Sequence, residues 1–154
     1  ASLRLDANGG WKRATARRWM GRRGGDPGCA WREQLLTPDG QQGLEDLAGL
    51  GPVALDESLD QDPSLRNRWG GWQVRRPLLE GDPRPLLRQL QECVPYRMLS
   101  TAFETGIGRR WLHHLAALQL QGPTPVAPGL APGWCPSGPL FSDDPAAVWE
   151  AASP

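Results

Sequence analysis

The chain has 154 residues, enough for one domain that buries about two-thirds of its unfolded surface. Its 17 basic and 17 acidic residues balance to a formal charge of +0, which excludes the broad field that would draw in nucleic acid or an anionic membrane surface. Three widely spaced cysteines, Cys29, Cys93 and Cys135, form no Cys-x-x-Cys pair, and no apolar run approaches the roughly 20 residues of a bilayer span, so a soluble chain in a reducing cytoplasm is expected.

Short apolar segments alternate with longer stretches of helical periodicity, which is how a parallel α/β arrangement reads in sequence. Leu3 to Asp6 is the first predicted strand. After the turn Ala7-Asn8-Gly9-Gly10, residues Trp11 to Met20 set Ala16, Trp19 and Met20 at helical spacing. Ala30 to Gln34 is the second strand, residues 41–50 a helix with Leu44, Leu47 and Ala48 inward, and Pro52 to Asp56 the third strand. Gly71 to Arg76, closed by Pro77, is the fourth. Asp82 and Pro83 then suit the start of a helix whose apolar face is Leu86, Leu87 and Leu90. Tyr96 to Ser100 is a fifth strand, followed by a helix from Ile107 to Leu120 with Ile107, Trp111, Leu115 and Leu118 on one side. The Pro- and Gly-rich segment 122–154 has room for a sixth strand at Val126 to Leu130 and a short helix around Ala146 to Ala152.

Each strand-plus-helix unit takes roughly 20 to 30 residues, the period of a (β/α)8 barrel of about 250 residues. The expected fold class is therefore α/β, an incomplete (β/α)8 TIM-type barrel with about six of its units present in one domain.

Three of the predicted strands end in an acidic residue: Asp6, Glu33 and Asp56, spaced by 27 and 23 residues, one βα unit each. Neighbouring parallel strands lie about 4.8 Å apart, so carboxylates at the same end of three strands can converge, and a hard divalent cation such as Mg2+ would relieve their repulsion. The plainer alternative is that each acid caps the helix after it. Arg76 ends the next strand and shares parity with Trp72 and Val74, which sets a guanidinium on the same face if that face is the barrel interior. Alone, it would read as a surface arginine paired with Glu80 or Asp82. Arg75 points the other way and takes that surface role. Ser100 and Thr101, ahead of Gly106 and Gly108, offer hydroxyls and amides to an anionic carboxylate, although a simple helix cap by Thr105 explains the same residues. His113 and His114 sit within a helix, without metal-ligand spacing.

Arg4-Leu5-Asp6-Ala7-Asn8-Gly9-Gly10-Trp11, Glu33-Gln34, Ala54-Leu55-Asp56-Glu57-Ser58, Arg76-Pro77-Leu78-Leu79-Glu80-Gly81-Asp82-Pro83 and Ser100-Thr101-Ala102-Phe103-Glu104-Thr105-Gly106-Ile107-Gly108 resemble, in order, the barrel motifs of the o-succinylbenzoate synthases of the enolase superfamily. The stretch from Gly122 to Trp134 resembles the cyanobacterial branch. The resemblance implies a Mg2+-dependent lyase that dehydrates a cyclohexadiene carboxylate to o-succinylbenzoate on the route to menaquinone or phylloquinone. It implies Asp6, Glu33 and Asp56 as metal ligands and Asn8, Ser100, Thr101 and Gly129 around the substrate.

The family's base lies in a Lys-x-Lys motif on the strand before the one carrying Asp6, and this chain starts five residues before Asp6. The base, the first strands and the N-terminal capping domain are thus expected to lie outside these residues. Lys12, the single lysine, follows the Gly-Gly turn in a helix and does not replace the base. Arg76 stands where the family usually has Lys before Pro. A guanidinium is a poor base but supplies positive charge, which suits a one-base elimination and not a two-base racemase. Trp31-Arg32-Glu33-Gln34-Leu35 also lacks the Pro that usually follows Glu-Gln.

The competing reading is a degenerate barrel fragment that binds or assembles without turnover. Strand edges left open would favour self-association. The expected partner is a small carboxylate substrate, with neither nucleic acid nor membrane.

Overall fold

A computed structural model describes residues 2–23 and 26–153, with Arg23 described in its backbone alone. Two compact units divide the chain, Ala1–Val74 and Arg75–Pro154. The strands are β1 (Leu3–Asp6), β2 (Cys29–Glu33), β3 (Val53–Leu55), β4 (Trp72–Arg75) and β5 (Arg97–Leu99). β1 to β4 pair parallel, each with the next. Helices separate them, as parallel neighbours require.

In the first unit α1 (Arg13–Arg23) follows β1, α2 (Gln41–Ala48) follows β2, and α3 (Glu57–Gln61) and α4 (Leu65–Arg68) follow β3. Ala16 and Met20 on α1 and Leu44 and Leu47 on α2 are the buried positions, at i, i+4 and i, i+3 spacing. They pack with Val53, Leu55, Leu59, Leu65 and Trp69 in one apolar cluster. Burying each such leucine contributes about 1.5–3 kcal/mol. Ala48, expected inside, is exposed because α2 ends there, and Lys12 lies just ahead of α1 rather than in it. No expectation from the sequence covered α3 and α4. Gln73 on β4 holds the latter in place by donating from Nε2 to the carbonyls of Arg66 and Trp69, at 3.2 and 3.0 Å.

The second unit holds α5 (Arg84–Gln91), β5, α6 (Gly106–Gln119) and α7 (Pro145–Ala152). Leu86, Leu90, Leu99, Leu112, Leu115 and Ala116 form its core. The buried stripe of α6 is Leu112, Leu115, Ala116 and Gln119, so Ile107, expected inside, is 42% exposed. Both histidines of α6 are exposed. The expected sixth strand is reduced to one parallel bridge between Ser100 and Gly129. Pro125 and Pro128 lack the N–H groups that a longer ladder would need.

Arg75 does bind Glu80, as expected, but inside the second unit: the two side chains are 1% and 5% exposed. Its Nε donates to Glu80 Oε1 at 2.6 Å and its Nη1 to Gln89 Oε1 at 2.9 Å, while Arg97 Nε donates to the same Gln89 oxygen at 3.1 Å. Burial pushes the Arg97 guanidinium down to about 10, the like charge of Arg75 adding to the fall and Glu80 opposing it. It stays protonated at neutral pH, so Gln89 bridges two cations that Glu80 must balance. Glu80→Gln should therefore cost about 3–5 kcal/mol in urea unfolding, because it strands a buried charge. Asp82→Asn, which breaks an exposed pair with Arg84, should leave the midpoint nearly unchanged.

Candidate active site

The register of the first unit decides which side chains share a face. Asp6 is opposite Glu33, Arg4 is opposite Trp31, and Glu33 is opposite Ala54. In a parallel pair, opposed residues point the same way. Asp6 and Glu33 therefore lie side by side, and Asp56 stands one same-face step beyond Ala54, at the C-terminal end of β3. By strand spacing and rise its Cα is on the order of 8 Å from that of Glu33. The floor below the acids is aromatic. Trp31 stacks on Trp72 with ring centres 4.4 Å apart, and the Arg4 guanidinium lies 5.3 Å from the Trp31 ring.

The acids differ in exposure. Asp6 is exposed at the end of β1, whereas Glu33 is 8% and Asp56 3% exposed. The cap alternative does not describe them. Asp56 occupies the N-cap position of α3 without a side-chain cap bond. Asp6 Oδ1 accepts from the Asn8 amide at 2.8 Å, and Glu33 Oε2 accepts from Trp31 Nε1 at 3.1 Å.

The oxygen-only donor set, adjacent in register and with two members buried, fits a hard divalent cation. Among the described residues, the carboxylates as placed do not close into a cluster of three metal ligands. Each of the two bonds just given takes up one oxygen of a carboxylate that offers about four lone-pair sites in all, so coordination does not require breaking them.

Asn8 is exposed, with its backbone in the left-handed region at φ 46°. Beside it a cleft of about 680 Å3 opens between Gly9–Arg13 and the segment from Leu36 to Gly43, with Lys12 on its rim.

The other expected residues lie in the second unit. Arg76 is half-buried in the turn after β4. Ser100 and Gly129 are joined by backbone: Thr101 N donates to Gly129 O at 2.9 Å and Gly129 N to Leu99 O at 2.7 Å. A side chain at 129 would sit 2.9 Å from Ser100 Oγ, so the approach requires glycine. Thr101 Oγ1 donates to Glu104 Oε1 at 3.0 Å and accepts from the Phe103 amide at 2.9 Å. Thr105 caps α6 by accepting from the Gly108 amide, as the cap alternative supposed.

Gln34, expected as the last residue of the second strand and as part of a motif, lies just beyond β2, and its bonds were not foreseen. Gln34 is fully buried in the left-handed region at φ 37°, and its side chain makes four hydrogen bonds to residues on or beside β3 and its own loop. A polar residue directly after a predicted ligand was the available signal.

Parallel strands in chain order, helices between them and acids at their C-terminal ends define an incomplete (β/α)8 barrel of the enolase-superfamily kind. Within that class the chain is similar to o-succinylbenzoate synthase, as its motifs led one to expect. It is 39% identical over 125 residues to the o-succinylbenzoate synthase of Thermosynechococcus vestitus, covering 75% of this chain and 39% of that protein. The crystal structure of o-succinylbenzoate synthase from Thermosynechococcus elongatus BP-1, complexed with Mg in the active site, matches 98% of this chain and 50% of that one at 32% identity and a TM-score of 0.78. Muconate cycloisomerase from Pseudomonas fluorescens matches 75% of this chain and 34% of its own at 27% identity and a TM-score of 0.61. The chain thus spans half or less of the length of these relatives. No family model matches it, and no helix among the described residues is long and apolar enough to cross a membrane.

Trp31→Phe keeps the stacked ring and removes the donor to Glu33. It should cost about 1.5–3 kcal/mol, the value of a hydrogen bond to a charged group, read as a lower urea midpoint.

Proposed function

We propose that these residues form the metal-binding and substrate-facing part of an o-succinylbenzoate synthase. The reaction is a syn elimination of water from 2-succinyl-6-hydroxy-2,4-cyclohexadiene-1-carboxylate. The α-proton goes to a base, the ring hydroxyl leaves as hydroxide, and o-succinylbenzoate remains, on the route to menaquinone or phylloquinone. The observation that carries the reading is the shared face of Asp6 and Glu33, with Asp56 one step beyond, in a chain similar to o-succinylbenzoate synthase.

Asp6, Glu33 and Asp56 would hold Mg2+. When bound, the ion offsets the negative charge that grows on the substrate carboxylate as the α-proton leaves, by several kcal/mol. Trp31 holds the Glu33 carboxylate through its N–H and stacks on Trp72 beneath it. Asn8 would contact the substrate beside Asp6. Ser100, Thr101 and the side-chain-free backbone at Gly129 would line the carboxylate and succinyl pocket. Arg76 would supply positive charge near the reacting ring, a guanidinium being a poor base. The base would come from the Lys-x-Lys strand that the resemblance sets before Asp6.

The test compares turnover of this chain alone with that of the chain joined to an upstream Lys-x-Lys strand and capping domain of the synthase type, both with Mg2+. Product is expected from the joined protein only, falling at least about 100-fold in Asp56→Asn as several kcal/mol of charge stabilisation is lost. Arg76→Lys should keep most of that turnover and Arg76→Met should lose it. Absence of product from both proteins would transfer the assignment to a binding module without turnover, whose edges would be tested by its oligomeric state.

A further inference from the structure

Gln34 sits where the three acid-bearing strand ends meet. Its backbone N–H donates to Ala54 O at 2.9 Å, two residues before Asp56. Its carbonyl accepts from Gly9 N at 2.7 Å, three residues after Asp6. Glu33 is its chain neighbour. The side chain goes further: Oε1 accepts from the amides of Asp56 and Ser58 at 3.0 and 3.2 Å, and Nε2 donates to Ser58 Oγ at 2.7 Å and to Leu36 O at 2.9 Å.

Fully buried and left-handed at φ 37°, a non-glycine residue in this backbone region is uncommon and persists only where its surroundings over-determine it. Here six hydrogen bonds do so. The amide of Asp56 is thereby bonded to a side chain of the neighbouring ligand strand instead of to water. Asp56 is the acid out of line with the other two, and although it occupies the N-cap position of α3 its side chain makes no cap bond there.

We propose that Gln34 is a positioning residue for the metal site: it sets the height and orientation of Asp56 relative to Glu33 and ties both to the loop after Asp6. This rests on the metal-binding reading above, and it assigns a role to a side chain that touches neither ion nor substrate. Residues that orient ligands in this way typically govern metal affinity by about 10- to 100-fold.

The experiment uses the full chain, with Mg2+ affinity read by titration calorimetry and amide exchange read at Asp56 and Ser58. Gln34→Ala leaves the Cβ, and so the backbone strain, in place while removing all four side-chain bonds. It should weaken Mg2+ by about 10- to 100-fold and speed exchange at both amides at least about 10-fold. Gln34→Glu keeps the accepting oxygen and should keep both amides protected, which separates positioning from general loss of fold even if the alanine variant unfolds. Leu44→Val, a core truncation in α2, serves as the stability control and should leave Mg2+ affinity within about twofold. Wild-type exchange rates in Gln34→Ala, or a loss of affinity no larger than that of Leu44→Val, overturn the proposal. Should Asp56→Asn bind Mg2+ as wild type does, the metal reading fails instead, and the exchange rates still decide whether Gln34 holds Asp56.

Discussion

A primary amide buried without solvent has two donor hydrogens and an acceptor oxygen that must all find partners, and each one left over costs about 1–3 kcal/mol. Gln34 meets that demand by spanning from the end of β2 to the start of α3, and its backbone reaches β3 on one side and the loop after β1 on the other. The geometry of the first unit's acidic rim depends on this satisfaction. If the amide were turned or shortened, Asp56 and Ser58 would lose their acceptor, Ser58 Oγ its donor, and the left-handed turn its support, all at once.

The sheet beneath that rim has two unlike faces. On one, Arg4, Trp31 and Trp72 stack below the carboxylates of Asp6 and Glu33. On the other, Val53 and Leu55 meet the leucines of the helices in a dry core. Period-two alternation places the acids and the apolar cluster on opposite sides of three-to-five-residue strands, while Arg32, opposite Val53, is buried on the core side. The second unit follows a different economy. Its buried charges, Arg75, Glu80 and Arg97, are balanced among themselves and bridged by Gln89.

Much of this was legible in the chain. Leu3–Asp6 is the strand expected, residue for residue, and the other four strands fall within their expected spans or one residue from them. Strand parity separated Arg75 from Arg76, and the acids at three strand ends were expected to converge, whereas the shared face of Asp6 and Glu33 comes from the register of β1 and β2. What the sequence hid was set by tertiary bonding. The turn at Gln34 is left-handed because of partners on other segments, and glutamine has no local preference for it. α3 and α4 are too short to show a period. Ile107 fits a helical stripe as well as Leu112 does, and only the packed core chooses between stripes turned by one residue. Arg75 read as surface by its charge, since nothing in its neighbourhood announced that Glu80 and Gln89 would fold over it.

The amine chemistry of the chain is as sparse as its guanidinium chemistry is rich. Lys12 is the single lysine, exposed, on the rim of the cleft that opens beside Asn8 and Gly9. An amine-selective fluorophore or cross-linker would therefore have one side-chain address among these residues, close to the loop that follows Asp6. Among these residues a side-chain amine label is confined to Lys12, so the reporter stands beside the cleft next to Asn8.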